Sequence, residues 1–104
     1  MTLGELLAEV ALELAGIEVG RSSDGTTTWS RGARPFASLS AAGATASFHL
    51  DPMVAAAAVR TPDVAPSPLG PGWVEFTPVE LDEHGADRAA AWFASAHRRL
   101  EPLN

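Results

Sequence analysis

The chain has 104 residues, of which 46% are apolar, and this suffices for one domain with one modest core. It has no cysteine, which excludes disulfides, thiolate chemistry and cysteine-based zinc sites. The formal net charge of -6 disfavours a general attraction to nucleic acid or to an anionic membrane. The N-terminus has neither a basic start nor a long apolar segment, so we expect no secretory signal, no membrane span and a cytoplasmic location.

The first predicted element is an amphipathic helix. Thr2 and Glu5 form a capping-box pattern. Apolar residues then repeat at helical spacing as far as Leu14, and Gly16 follows as a C-terminal cap would. We predict a helix over residues 3–15.

The region from residue 26 to residue 50 is predicted to be an antiparallel meander. Ile17, Val19 and Arg21 alternate briefly before it, and turn residues follow at 22–25. Strands are predicted at 26–30, 35–40 and 44–50, because tight turns separate runs that have a period of two. The last strand places four residues on one buried face: Ala44, Ala46, Phe48 and Leu50.

Two helices and two extended segments are predicted in the second half. Asp51-Pro52 starts a short helix over residues 52–60, whose apolar stripe comprises Met53, Val54, Ala57 and Ala58. Residues 63–71 hold three prolines and predict a loop with a short extended piece near Val64. Residues 72–79 predict a further strand, and residues 83–100 a final helix with an alanine-rich inward stripe.

Much of the apolar content is alanine, so a few large side chains must supply the core. We expect them to be Trp29, Phe36, Phe48, Trp73, Phe76, Trp92 and Phe93. The sequence therefore predicts a single α+β domain over residues 1–104. In it, an antiparallel β-meander of four to six strands packs against N- and C-terminal helices, with a short middle helix between them.

No catalytic, cofactor or metal motif is found. His49, His84 and His97 lack the spacing of a helical metal pair, and neither a G-x-S-x-G elbow nor a P-loop occurs. Asp51 and Glu75 have capping or surface explanations. We therefore expect a non-enzymatic binding domain with no cofactor and no metal.

Arginines at the predicted hairpin tips are the candidate binding residues. Arg31 and Arg34 flank one tip and are hard to explain by packing, and a protruding loop with two arginines resembles a wing that touches phosphate. The predicted nucleic-acid-binding set is Arg21, Arg31, Arg34 and Arg60, and binding to DNA would be weak and sensitive to salt. Trp29 and Trp73 could stack on bases, but core positions are the favoured interpretation for both.

Two other functions stay open. A protein-interaction or dimerisation module could use an exposed sheet face or the proline-rich loop at 64–71. A small-molecule binder would need a pocket lined by Trp73, His49 and an acidic side chain.

Five segments carry a resemblance to a known family: ELAGIEVGRS, TTTWSRGARPFASL, FHLDPMVAAAAV, PGWVEF and VELDEHGADRAAAWFASAHRRL. From about residue 6 to residue 100, the chain resembles the MmcQ/YjbR-like family of small bacterial proteins. The resemblance implies a fold like that of type III secretion chaperones, CyaY-like (frataxin-like) domains or double-wing DNA-binding modules, and it brings no catalytic residues. Gly72 stands where many members have a basic residue, and the meander has arginines where many have lysines.

Overall fold

A computed structural model of the chain describes residues 1–100, so the last four residues of the predicted domain lie outside the described part. It confirms the predicted α+β architecture. In chain order the elements are α1 (Leu3–Leu12), β1 (Ile17–Arg21), β2 (Thr27–Arg31), β3 (Arg34–Leu39), β4 (Ala46–His49), α2 (Pro52–Ala58), β5 (Val64–Pro66), β6 (Trp73–Phe76) and α3 (Glu83–Arg99).

All three predicted helices form, and each ends slightly earlier than the sequence pattern indicates. The capping box starts α1, because the Glu5 backbone N–H donates to Thr2 Oγ1 at 3.1 Å and the Thr2 N–H donates to Glu5 Oε1 at 2.9 Å. The helix ends at Leu12 rather than at residue 15, and Gly16 with φ 70° turns the chain into the sheet. The ends of α2 and α3 fall at Ala58 and Arg99 instead of residues 60 and 100.

One antiparallel sheet contains all the strands in the order β1-β2-β3-β4-β6-β5. Arg31 pairs with both Ile17 and Arg34, whereas Arg21 pairs with Thr27. The turn between β2 and β3 therefore lies at the opposite end of the sheet from the turn between β1 and β2. His49 and Trp73 pair at the same end as the turn between β2 and β3.

A bulge interrupts the alternation of β3. Trp29 pairs with Ala37 and Ser30 pairs with Pro35, so Phe36 is an extra residue without a partner in β2. Phe36 and Ala37 are both fully buried as a result. The predicted period of two across residues 35–40 is thus broken at its most apolar position.

The core lies on one face of the sheet, between the strands and the helices. Phe93 of α3 makes edge-to-face contacts with Trp29 and Phe36, at centroid distances of 5.4 and 5.2 Å. Trp92 contacts Phe76 at 5.5 Å and Phe48 at 6.2 Å. These contacts confirm six of the seven large side chains expected in the core.

Four residues were wrongly assigned to buried positions, and one of them is Ala57 of α2, which is exposed. Trp73 is half-buried, because its neighbours Val74 and Phe76 take the core positions of β6. Met53 is 86% exposed, since the stripe of α2 that packs on the core is formed by Val54, Ala55 and Ala58. Ala44 precedes β4 and is exposed.

No helix among residues 1–100 is long and apolar enough to cross a membrane.

Residue 72 must be glycine for two reasons: its backbone is left-handed, and no room is left for a side chain. Its φ is 81°, and an added Cβ would lie 2.9 Å from the Leu50 carbonyl oxygen. Gly43 has a similar φ of 77° with nothing within 4 Å of an added Cβ. Gly43→Ala should lower the free energy of unfolding by about 1–2 kcal/mol through backbone strain alone.

Gly72→Ala should cost about 1–3 kcal/mol more than Gly43→Ala, because the overlap with Leu50 is added to the strain. Urea titrations of the two variants measure this difference. Equal losses in the two variants would contradict the close approach of the chain at Gly72.

Candidate functional site

A surface depression of about 410 Å³ lies where four elements meet. The turn between β2 and β3, the end of β4, the start of β6 and the last turn of α3 each contribute to its wall. Its lining residues are Ala33, Arg34, Pro35, His49, Trp73 and Arg99.

Two hydrogen bonds join Arg99 and His49 in the wall of this depression. The Nε of Arg99 donates to the His49 carbonyl oxygen at 3.2 Å, and Nη2 lies 2.8 Å from His49 Nδ1. Since a guanidinium only donates, Nδ1 accepts and the ring proton sits on Nε2. Burial first, and then the positive charge of Arg99, lowers the pKa of His49, with a smaller effect from Arg34. The lowered pKa and the hydrogen bond that Nδ1 accepts from Arg99 both favour the neutral form of His49.

Trp73 stacks on His49 and extends this ordered surface. The two ring centroids are 4.9 Å apart and the planes are inclined by only 13°. Trp73 is half-buried and its accessible part lines the depression. The alternation of Trp73 and Glu75 with Val74 and Phe76 was the sequence signal that could have placed Trp73 outside the core.

The two arginines at the tip between β2 and β3 have different surroundings. Arg31 is half-buried, and its Nη1 donates to the His97 carbonyl oxygen at 3.3 Å. His97 Nε2 in turn lies 2.7 Å from the Ala15 carbonyl oxygen, which links the ends of α3 and α1. Arg31 thus has a structural contact that sequence interpretation did not foresee, whereas Arg34 is exposed and lines the depression.

The four predicted nucleic-acid-binding arginines do not form one patch. Arg21 lies at the far end of β1, and Arg60 follows α2, three residues before Asp63. We call the region around the depression the basic end, because four arginines gather there: Arg31, Arg34, Arg98 and Arg99. The opposite end holds acidic residues from several elements, namely Asp24, Asp63, Glu80, Asp82, Glu83 and Asp87.

The small-molecule hypothesis correctly brought Trp73 and His49 together, but it required an acidic side chain in the same pocket. The charged side chains that line this depression are Arg34 and Arg99. Asp51 acts on His49 by its charge without lining the depression. Among residues 1–100, no group of three or more metal-ligating side chains could hold an ion.

The other predicted surface, the open face of the sheet with the loop at 64–71, is polar and partly covered. Ser38, Ser47 and Glu75 share a second depression with Pro68 and Leu69 of the loop. The backbone of Ser67 donates to the Trp73 carbonyl oxygen at 2.9 Å, and β5 begins at Val64 as predicted. The proline-rich segment is therefore attached to the sheet along most of its length.

No protein-family model matches the chain, and a comparison with curated proteins gave no match either.

The lowered pKa of His49 predicts a pH dependence. The folded chain binds fewer protons at His49 than the unfolded chain does, between the lowered pKa and the ordinary value of 6.5. The stability contributed by this site is therefore fully present above pH 6.5 and is lost as the pH falls through that window. An NMR titration of the His49 ring, identified with His49→Gln, should give a midpoint below 6.5.

Arg99→Gln should raise this midpoint, because it removes the positive charge that faces His49. Arg21→Gln is the matched control, since Arg21 lies at the other end of the sheet. A wild-type midpoint at or above 6.5 would contradict the assignment of a neutral His49.

Proposed function

We propose that this chain is a small non-enzymatic domain that binds single-stranded nucleic acid at its basic end, as a member of the MmcQ/YjbR-like family. The observation that carries the proposal is a half-buried tryptophan that shares a surface depression with two arginines. Trp73 lines the same depression as Arg34 and Arg99. Proteins that bind single strands without sequence preference combine base stacking on aromatic rings with a positive surface for the backbone.

The held geometry of the depression supports this use. Trp73 is backed by His49, which is itself held by Arg99, so little side-chain freedom remains to be lost when a base packs against the indole. The depression of about 410 Å³ is shallow and open to solvent on one side, which suits a strand that passes across it. Arg34, which is exposed, and Arg99 both line the depression and serve as the phosphate contacts, while Arg31 remains engaged with α3.

The separation of charge supports binding despite the net charge of -6. Six of the acidic residues lie at the end of the sheet opposite the depression. About two phosphate contacts give a weak complex. Each contact with a single strand contributes about -0.7 to the slope of log K against log salt, so the expected slope is about -1.4. Binding is therefore expected at low salt and should disappear as salt is raised.

Fluorescence anisotropy with a labelled oligothymidine at about 50 mM salt tests the proposal, since phosphate contacts are strong under that condition. Arg34→Gln should weaken binding and reduce the magnitude of the salt slope by about 0.7, the value for one lost contact. Arg60→Gln is the matched control: it removes the same charge from an exposed residue after α2, away from the depression, and should leave binding unchanged.

Trp73→Leu separates stacking from charge. It should reduce the free energy of binding by about 1–3 kcal/mol with an unchanged salt slope, because one base loses its stacking partner. Circular dichroism verifies that each variant is folded. Absence of wild-type binding at about 50 mM salt, or equal losses for Arg34→Gln and Arg60→Gln, would overturn the proposal.

A further inference from the structure

The β1 edge of the sheet is unusually open. Ile17 is half-buried, and the four residues that follow it in β1 are exposed. The other edge, β5, has only three residues and ends at Pro66, and a short edge that contains proline resists pairing with another strand. β1 has neither protection, since it contains five residues, no proline and no lysine.

The free hydrogen-bonding groups of β1 can be assigned from the adjoining turn. The Ser22 backbone N–H donates to the Thr26 carbonyl oxygen across that turn at 2.9 Å. Because successive residues of an antiparallel ladder alternate in direction, Gly20 and Glu18 also bond toward β2. The N–H and C=O groups of Ile17, Val19 and Arg21 therefore point away from the sheet and are free for a further strand.

An apolar groove of about 690 Å³ runs beside this edge, between α1 and β1. Val19 on its floor is 62% exposed, and Leu12 on its wall is 86% exposed. Five of its other lining residues are Ala8, Ala11, Leu14, Ile17 and Leu39. A strand that pairs with β1 would lie beside this groove and would cover part of its apolar lining.

We propose that β1 pairs with β1 of a second copy of this chain, antiparallel, about a two-fold axis at Val19. In this register Val19 lies opposite its own copy, Ile17 lies opposite Arg21, and Glu18 lies opposite Gly20. The pairing uses all three outward-facing residues of each strand and places no like charges opposite one another. A strand that matches itself in this way favours a symmetric dimer over a different partner.

Charge complementarity supports the same register. The last turn of α1 has no basic residue of its own and its C-cap is Glu13, so the cation at this negative helix end comes from β2: the Nε of Arg31 lies 3.9 Å from the position that a Cβ on Gly16 would take. The groove contains one charged side chain, Arg21, at the opposite end from Gly16. The two-fold axis brings the partner subunit's Arg21 beside Ile17, the residue that follows Gly16 at this helix end. The second copy thus adds a further positive charge at this helix end, next to the C-cap Glu13.

Sedimentation equilibrium tests the dimer. The wild type should approach twice the chain mass of 10.8 kDa as the concentration rises. Val19→Glu should stay a monomer, because it places two carboxylates opposite each other at the axis. Val79→Glu is the matched control, since Val79 is 96% exposed and lies outside the sheet, and this variant should dimerise like the wild type.

A mixing experiment makes the test specific to the axis. Val19→Glu and Val19→Lys should each be monomers alone and should associate when mixed in equal amounts, because unlike charges then face each other. A wild type that is monomeric at every concentration overturns the proposal. So does a Val19→Glu variant that still dimerises, or a mixture that fails to associate.

This interface is independent of nucleic-acid binding. Arg34→Gln should leave the dimer intact, since Arg34 lies on β3 and not at the β1 edge. Loss of the dimer in Arg34→Gln would overturn the proposed position of the interface.

Discussion

Two adjacent aromatic residues of α3 determine how the sheet lies against the helices. Phe93 contacts aromatic rings from β2 and β3, and Trp92 contacts rings from β4 and β6. Edge-to-face pairs of this kind favour a defined geometry beyond the area they bury, so α3 can occupy only one position across the four middle strands. β1 lies beyond the reach of this contact, and the groove between α1 and β1 is the result.

The same placement explains why arginines gather at one end. With α3 fixed by its aromatic residues, its last turn lies beside the turn between β2 and β3. The carbonyl groups of a final helical turn lack partners within the helix, and cations nearby are favourable. Arg31 meets this need by bonding to the His97 carbonyl oxygen, and Arg99 turns outward to hold His49. Of the two arginines at the tip between β2 and β3, Arg31 is used in this structural contact and Arg34 remains available for a ligand.

Local patterns were sufficient to predict the fold, and they failed where a contact over long sequence distance decided the outcome. The period of two and the helical stripes predicted the three helices and the strands β2, β3, β4 and β6, whereas β1 was noted only as a brief alternation and β5 only as an extended piece within a loop. The size of Trp73 was given more weight than its place in the alternation, and the bulge at Phe36 left no trace in the pattern. The bond from Arg31 to His97 joins residues 66 positions apart, so no local signal could have separated its role from that of Arg34.

The net charge was the sequence feature that argued most strongly against nucleic-acid binding. How much each charged side chain affects a ligand depends on the distance between the two. Arg21 and Arg31 are separated by the length of β1, which is about 13 Å at about 3.3 Å per residue. Charges in solution are screened beyond about 8 Å at physiological ionic strength. A ligand at the basic end therefore experiences mainly Arg34, Arg99 and the nearby Asp51, while the acidic residues at the other end contribute little. The total of -6 describes the whole chain, whereas the local field at Trp73 is set by the packing that brings α3 to that end of the sheet.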